Sequence, residues 1–311
     1  MSYVIKRIGY AILIMFLASL VTFAALRVAP GSAVTSILDP ARTPPEVIER
    51  YKEELGLNLP IWQQYVNYMA NVLRGNFGTS LFDRRPVFDL IADAALYTVV
   101  LAFAAFVLAF GLGVPAGVIA ALNRGGWFDR VIRWVTSAFM SIPNFVLALL
   151  LVAILGVKMR FLPVSGASGP ANLILPALVL AADPWSLTTR VTRTAVVEQL
   201  GADYTRTLRA RGVSRMRINW RHVLRNALTP VVSLGSVQIR TLLGYTLIVE
   251  VIFRWPGMGS QLVQAILKRD YPVASALALL LALVVVLAST VGDLLLRAVD
   301  PRIRSNQAVI S

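Results

Sequence analysis

Six apolar runs dominate the pattern of hydrophobic and polar positions along the chain. Each is long enough to cross a bilayer as a helix, which takes about 20 residues. They extend from about Ile8 to Leu26, Leu96 to Leu122, Val135 to Val157, Ala171 to Leu187, Leu228 to Ile252 and Val273 to Leu296. The first run follows a charged start but is too long for a signal peptide, so we predict an uncleaved span. The pattern thus predicts an all-α membrane protein with six transmembrane helices and both termini on one side.

Several runs contain residues that predict irregular or close-packed helices. Pro143 breaks the third run, and two prolines, Pro176 and Pro184, predict an irregular fourth span. Gly113 and Gly117 are four residues apart in the second run, a spacing that permits close helix contact in a bilayer. Small residues are also tolerated elsewhere in spans, so the spacing leaves both interpretations open.

Two polar regions separate the runs. Between the first two, up to about Ala94, the chain carries the helical patterns PPEVIERYKEEL and PIWQQYVNYMANVL, which predict short helices outside the membrane. The second region, Arg190 to Pro230, carries nine arginines against Glu198 and Asp203, and we call it the arginine segment. Each arginine would cost about 2.5–3.5 kcal/mol at the centre of a bilayer, so we predict a loop in water. After the fifth run, FRWPGMGSQLVQAILKRDYP predicts a loop with an amphipathic piece.

Charge predicts the orientation of the spans. Lys and Arg number 17 in the termini and even-numbered loops and 5 in the short odd-numbered loops. Positive residues accumulate on the cytoplasmic side, so both termini and the arginine segment are predicted to be cytoplasmic. The net charge of +14 does not indicate nucleic acid binding, because the arginines alternate with apolar spans instead of forming one basic surface with stacking aromatics.

The residues offer no catalytic chemistry. The chain has no phosphate loop of the GxxxxGK type, no cysteine and a single histidine, His222, in the arginine segment, which excludes nucleotide hydrolysis and a Cys- or His-rich metal site. Energy must therefore come from a partner or from an ion gradient. Asp183, Glu250 and Asp293 lie near span ends, where acids are usually structural, although a gradient-driven transporter remains the alternative of a different class.

The arginine segment contains a pattern of two helices joined by a glycine turn. Thr205 to Gly212 favours a helix that ends at a glycine suited to a left-handed C-cap, and Ser214 is a good N-cap for the next helix. The pattern indicates a compact projection. A merely solvated positive loop is the simpler interpretation, and the residues alone leave it open.

Nine short stretches, in order along the chain, carry a family resemblance. Within the arginine segment the matching residues are Tyr204, Arg206, Thr207, Ala210, Gly212, His222, Arg225 and Asn226, whereas Leu208 replaces the usual alanine. The other stretches are LGLNLPIWQQY from Leu55, GNFGTSL from Gly75, SIPNF from Ser141, LPVSG from Leu162, ILPAL from Ile174, EVIFRWPGMG from Glu250, RDYP from Arg269 and the terminal DPRIR. Together they resemble the permease subunits of ATP-driven importers in the dipeptide, oligopeptide and nickel branch.

The resemblance implies a type I ABC importer permease fold with an extracytoplasmic insertion after helix 1. Residues 1–94 would form the first helix and the insertion, 95–297 the permease domain with a coupling loop at about 190–227, and 298–311 a cytoplasmic tail. The chain would bind no cofactor or metal. Its partners would be a second permease, two ATP-binding subunits that hold ATP and Mg, a solute-binding protein and membrane lipid. The residues expected to contact an ATP-binding subunit are Tyr204, Thr205, Arg206, Thr207, Arg209, Ala210, Arg211, Gly212, Val213, Ser214 and Arg217.

The resemblance also indicates a pathway, although not its cargo. Peptide is the expected cargo, with nickel chelates, glycosides or another small solute as alternatives. The pathway or gate candidates are Gln238, Arg240, Tyr245, Glu250, Phe253, Trp255, Pro256 and Gly257. Arg240 and Tyr245 replace small residues usual in the family, and the Pro30 to Ala33 stretch lacks the usual aspartate. Arg240 is expected either to be satisfied by the partner permease or to meet the substrate.

Overall fold

The computed structural model describes the backbone of residues 2–28, 34, 38 and 41–299, and the side chains of 7–28, 34, 38 and 41–292. This part of the chain is almost entirely helical, and its one β-type pairing is an isolated bridge between Thr79 and Pro86. The terminal DPRIR, the Pro30 to Ala33 stretch and the side chain of Asp293 lie outside the described residues.

The helices occur in the following order along the chain. They are α1 Ser2–Val28, α2 Pro45–Glu54, α3 Ile61–Leu73, α4 Val87–Leu122, α5 Trp127–Ser141, α6 Asn144–Leu151, α7 Ala171–Gly201, α8 Asp203–Ala210, α9 Arg215–Arg217, α10 Leu224–Ile252, α11 Met258–Lys268 and α12 Tyr271–Val299, with π-helical stretches at Val152–Lys158 and Ile218–Val223. The two short helices predicted after the first span are α2 and α3. The amphipathic piece predicted after the fifth span is α11.

In the described part of the chain, five helices are long and apolar enough to cross a membrane, and α5 with α6 makes a sixth span if that pair is one bent span. The two helices of the pair meet at 105°. The break predicted at Pro143 is confirmed: Ile142 is extended, with φ −98° and ψ 120°, because the ring of a following proline disfavours helical backbone. The all-α, six-span prediction is confirmed with this one bent span.

The fourth span differs from the prediction, whereas the arginine segment has the predicted pair of short helices. The predicted irregularity is wrong: the helix that contains the fourth run continues past Leu187 to Gly201, with Pro176 and Pro184 inside it. Transmembrane helices tolerate proline because neighbouring groups satisfy the carbonyls it leaves free. The arginine segment is helical for most of its length: it comprises the end of α7, then α8, α9, a π-helical stretch and the start of α10. Its apolar residues at helical spacing account for this, as described below.

The chain divides into two compact units. The first consists of Met1–Thr98 and Pro256–Val286, and the second of Val99–Trp255 and Leu287–Ser311. In the first unit, the start of α4 packs with α11 and the start of α12 around Val87, Ile91, Met258 and Leu277. A hydrogen bond of 2.5 Å from Ser80 Oγ to Asp270 Oδ2 joins the turn before α4 to the end of α11, and both residues are buried.

In the second unit, α7 is the most enclosed span. Burial covers 56% of its apolar stretch, against 17–33% in the other single-helix spans. Its close crossing with α4 explains part of this: a Cβ on Gly117 would lie 2.6 Å from the carbonyl oxygen of Thr189, and one on Gly113 3.1 Å from Thr188. The close contact that the Gly113 and Gly117 spacing permits is therefore present, and it is made with α7.

Candidate functional site

A glycine turn organises the middle of the arginine segment. Gly212 has φ +74° and ends α8 as predicted. Its N–H donates to Arg209 O at 3.0 Å, and the N–H of Val213 donates to Leu208 O at 3.1 Å, the bond pair of a Schellman motif. Ser214 occupies the predicted N-cap position of α9, but its side chain makes no capping hydrogen bond. The turn thus fixes where α9 starts relative to α8.

One side of the arginine segment is anchored in an apolar cluster. Ile218 and Val223 are buried there against Val118 of α4 and Val196 of α7, and Leu208 and Val213 pack at its edge. Thr205 is fully buried as well, and its hydroxyl donates to Ala202 O at 2.7 Å. Tyr204 is half-buried and donates to Gln199 Oε1 at 2.9 Å. These contacts hold α8 and α9 against the spans.

The other side of the arginine segment is open and basic. The exposed members of the predicted contact set are Arg206, Thr207, Arg209, Ala210, Arg211, Gly212, Ser214 and Arg217. Two large apolar side chains, Met216 at 74% and Trp220 at 58% exposure, are also open there. The structure therefore brings the predicted contact residues together, with Thr205 and the half-buried Tyr204 and Val213 as anchors and the arginines outward. Apolar side chains set among exposed arginines are typical of a protein-binding surface.

An ion pair that the sequence did not reveal joins α5 to α7 just before the arginines of α8. Asp129 is buried and accepts from Nη2 of Arg193 at 2.8 Å, and it also accepts from the backbone N–H of Gly125 at 3.0 Å. Arg133 lies 3.7 Å from the same carboxylate but is half exposed. Asp129 is the one acid in a short stretch of arginines, 124–133, and this was the only sequence signal that could have singled it out.

Three of the pathway candidates lie along α10. Gln238 is buried, and its Oε1 has no hydrogen-bond partner within the described residues. Arg240 is half-buried and donates from Nη1 to Ser289 Oγ of α12 at 3.2 Å, whereas Tyr245 is 43% exposed. Arg240 therefore has a hydrogen-bond partner in its own chain, which neither of its two expected roles included.

The remaining candidates lie at the end of α10 and beyond. Glu250 is fully buried, and Phe253 and Trp255 belong to the hydrophobic core of the second unit. Pro256 and Gly257 begin the second part of the first unit, where Gly257 precedes α11. At 1.5 Å per residue, Arg240 and Glu250 are about 15 Å apart along α10, so the eight candidates do not form one cluster. No group of acids and histidines able to hold a metal ion occurs in the described residues.

Comparisons with known proteins agree with this architecture. Residues 113–305 match the family described as "Binding-protein-dependent transport system inner membrane component", and residues 1–102 match its N-terminal counterpart, "Binding-prot-dependent transport system membrane comp, N-term". The chain is similar to the glutathione transport system permease protein GsiC of Escherichia coli (strain K12), with 38% identity over 304 residues, 98% of this chain and 99% of the relative. The protein of the same name in Shigella dysenteriae serotype 1 (strain Sd197) matches with the same identity and coverage.

A solved structure shares the fold. A chain of the MetNI methionine ABC transporter, in inward-facing conformations, superposes with a TM-score of 0.57 at 22% sequence identity and covers 68% of this chain and 97% of that chain. The fold is therefore that of a type I importer permease. Taken with the family matches, this places the protein in the inner membrane as a multi-pass subunit that is not itself the ATPase. The chain belongs to the inner-membrane components of binding-protein-dependent transport systems, as a permease subunit of an ABC importer.

Proposed function

We propose that this permease forms half of a pathway for small peptides that a solute-binding protein delivers. The 38% identity to the glutathione permease, over nearly all of both chains, supports a peptide cargo, because glutathione is a tripeptide. Half-buried Arg240 on α10 suits cargo that carries a carboxylate. Nickel chelates, glycosides and other small solutes are the alternative cargoes.

Coupling to ATP is assigned to residues 204–217 of the arginine segment. The observation that carries this assignment is the two-sided structure of the segment: its apolar side is anchored on α4 and α7, while its arginines, Met216 and Trp220 face outward. A surface held so firmly from behind can transmit movement to the spans. It would dock on one of two ATP-binding subunits, which hold ATP and Mg.

The complete importer would contain a second permease subunit beside this one. In the proposed arrangement, residues 1–94 form the first span and an extracytoplasmic insertion, 95–297 the permease domain and 298–311 a cytoplasmic tail. Both termini and the arginine segment face the cytoplasm, an orientation supported by the 17 against 5 distribution of Lys and Arg. Gln238, Arg240 and Tyr245 would contact the pathway, and the buried residues Glu250, Phe253 and Trp255, with Pro256 and Gly257, would support its gate.

Uptake by the purified importer tests the cargo. The complex, isolated through a tag on this chain and reconstituted in vesicles with its binding protein, is expected to accumulate a labelled dipeptide only with ATP. A labelled glycoside and a nickel chelate serve as comparison cargoes. Accumulation of one of these in place of the peptide would assign the permease to that cargo instead.

Cysteine labelling tests the orientation. The chain has no cysteine, and Ser214 and Ser168 are both exposed, so a single cysteine at either position reports its own side of the membrane. In intact cells an impermeant thiol reagent is expected to label the Ser168→Cys protein and not the Ser214→Cys protein. Labelling at position 214 in intact cells would reverse the proposed topology.

A further inference from the structure

A cleft of about 260 Å³ opens in the first unit beside Arg27, and we call it the Arg27 cleft. Its walls come from the end of α1, the stretch 55–59, α3, the turn at 76–81 and the start of α12. Three of the stretches that carry the family resemblance, from Leu55, Gly75 and Arg269, therefore meet at one place. Neither the proposed coupling residues, 204–217, nor the pathway candidates on α10 account for this convergence.

The guanidinium of Arg27 is held in a fixed orientation. Its Nε donates to Gln64 Oε1 at 2.8 Å, and the amide nitrogen of Gln64 donates to the backbone oxygens of Leu57 at 3.1 Å and Leu59 at 2.8 Å. Two carbonyls thus turn the oxygen of Gln64 toward the arginine. The guanidinium carbon also lies 3.8 Å from the ring centre of Phe23 and 5.6 Å from that of Tyr271, within range of cation–π attraction.

Within the part of the chain that the structure describes, the two Nη groups of Arg27 have no hydrogen-bond partner and are available to a ligand. The bond to Gln64 is the only hydrogen bond of this side chain to the residues that the structure describes. A guanidinium with its Nε fixed and both Nη groups open presents the paired donors that a carboxylate accepts. The side chain is half-buried, so a counter-charge would offset part of its lost hydration.

The described residues that line the cleft carry one positive charge and no negative charge. Arg27 is the only charged residue among them. Tyr68, which also lines it, stays neutral at physiological pH, because burial raises the pKa of its hydroxyl to about 12. That hydroxyl donates to Ser275 O at 3.4 Å. The electrostatics therefore favour an anion and disfavour a cationic ligand.

The rest of the lining matches an amino-acid residue better than a bare anion. Half-buried Tyr271 supplies aromatic surface near the guanidinium, and Asn67 and Asn71 supply exposed amides at the rim. Amide side chains can both donate to and accept from a peptide bond. The volume is just below the roughly 300–1,000 Å³ of small-molecule sites, which suits the end of a peptide and not an extended one.

We propose that the Arg27 cleft binds the C-terminal carboxylate of a small peptide, with the last side chain against the ring of Tyr271. The inference rests on the proposed function, since the peptide would reach the cleft from the extracytoplasmic side after leaving the binding protein. This would be a peptide-binding site separate from the proposed coupling residues, 204–217, and from the pathway candidates on α10.

Peptide binding to the complete importer, in phosphatidylcholine nanodiscs without the binding protein, tests the proposal. The probes are the dipeptide alanylphenylalanine and its C-terminal amide, measured by equilibrium dialysis. The wild-type complex is expected to bind the acid about tenfold or more tightly than the amide, the factor that a charge-assisted hydrogen bond provides. Arg27→Gln should abolish this preference, and Arg27→Lys should retain part of it.

Arg74→Gln is the matched control, because Arg74 is an exposed arginine of the same unit that does not line the cleft. It removes the same charge and should keep the acid preference. The proposal is overturned if the wild type binds acid and amide equally, or if the preference survives in Arg27→Gln. It is equally overturned if Arg27→Gln weakens docking of the ligand-free binding protein without changing the acid preference, since the cleft would then hold an acidic side chain of that protein.

The wild-type uptake measurement separates a failure of this inference from a failure of the proposed function. If the cleft does not bind peptide, ATP-dependent peptide uptake by the wild type remains. If peptide is not the cargo, that uptake is absent, and acid binding that depends on Arg27 would then be reassigned to another carboxylate ligand.

Discussion

Replacing Gly212 with valine tests whether the turn in the arginine segment is needed for coupling. Gly212 has φ +74°, a backbone conformation that a β-branched residue adopts only with strain. A Cβ at this position would meet nothing within 4 Å, so the substitution introduces no collision. The effect of Gly212→Val should therefore come from backbone conformation alone and leave membrane insertion unchanged.

Two costs decide how the valine variant responds. Keeping the left-handed conformation costs about 1–2 kcal/mol. Opening the turn avoids that strain but loses the bonds from Gly212 N–H and Val213 N–H, at about 0.5–1.5 kcal/mol each. Because the two costs are similar, we expect a mixture of intact and opened turns. A change of 1–2 kcal/mol alters an equilibrium by a factor of roughly 5–30, so peptide uptake should decrease by a factor of roughly 5–30.

Uptake and ATP hydrolysis measured on the same vesicles provide the assay. In Gly212→Val, hydrolysis should continue while the peptide transported per ATP falls. Gly212→Asn should be milder, because asparagine tolerates the left-handed region. Gly201→Val is the matched control, since Gly201 also has open space but no positive φ. Normal uptake per ATP in a well-expressed Gly212→Val complex would refute the assignment of this turn to coupling.

Three further substitutions probe contacts elsewhere in the chain. Asp129→Asn should lower the free energy of unfolding by about 2–3 kcal/mol, toward the low end for a broken buried ion pair because Arg193 is partly exposed. Arg133→Gln removes an exposed partner of the same carboxylate and should cost under about 1 kcal/mol, so equal losses in the two variants would contradict this reasoning. Ser80→Ala removes the hydrogen bond to the buried carboxylate of Asp270 and should lower local stability by about 1–3 kcal/mol, so proteolysis within 79–86 should accelerate. An unchanged rate of proteolysis would show that the bond contributes little. Arg240→Gln should weaken uptake of a carboxylate-bearing dipeptide more than of its amide if Arg240 contacts cargo, whereas equal losses or failed assembly would favour a structural role.

Much of the fold follows from local sequence rules. Long apolar runs gave the spans, and the restriction that Pro143 places on Ile142 gave the break in the third. Gly212 was identifiable because a glycine between two short helical patterns commonly adopts the left-handed conformation. Each of these features depends on residues within a few positions of one another.

The features that were missed depend on distant residues. Thr188, Thr189 and Thr192 read as a polar end to the fourth span, yet all three are fully buried, because Gly113 and Gly117 of α4 let α7 approach closely. The pairing of Asp129 with Arg193 joins positions 64 apart in sequence, so no local pattern could reveal it.

The contacts of the second unit suggest how the proposed docking of the arginine segment would act on the spans. The segment is anchored on α4 and α7, α4 and α7 approach closely at Gly117, and α5 is tied to α7 through Asp129. Packed cores resist gradual deformation, so a force on α8 would move these helices together instead of compressing the contacts between them. Because α7 is the most enclosed of these spans, its displacement would reach the core around Phe253 and Trp255. The tests at Gly212 and Asp129 therefore act on the same mechanical connection, one at the docking surface and one at the helices behind it.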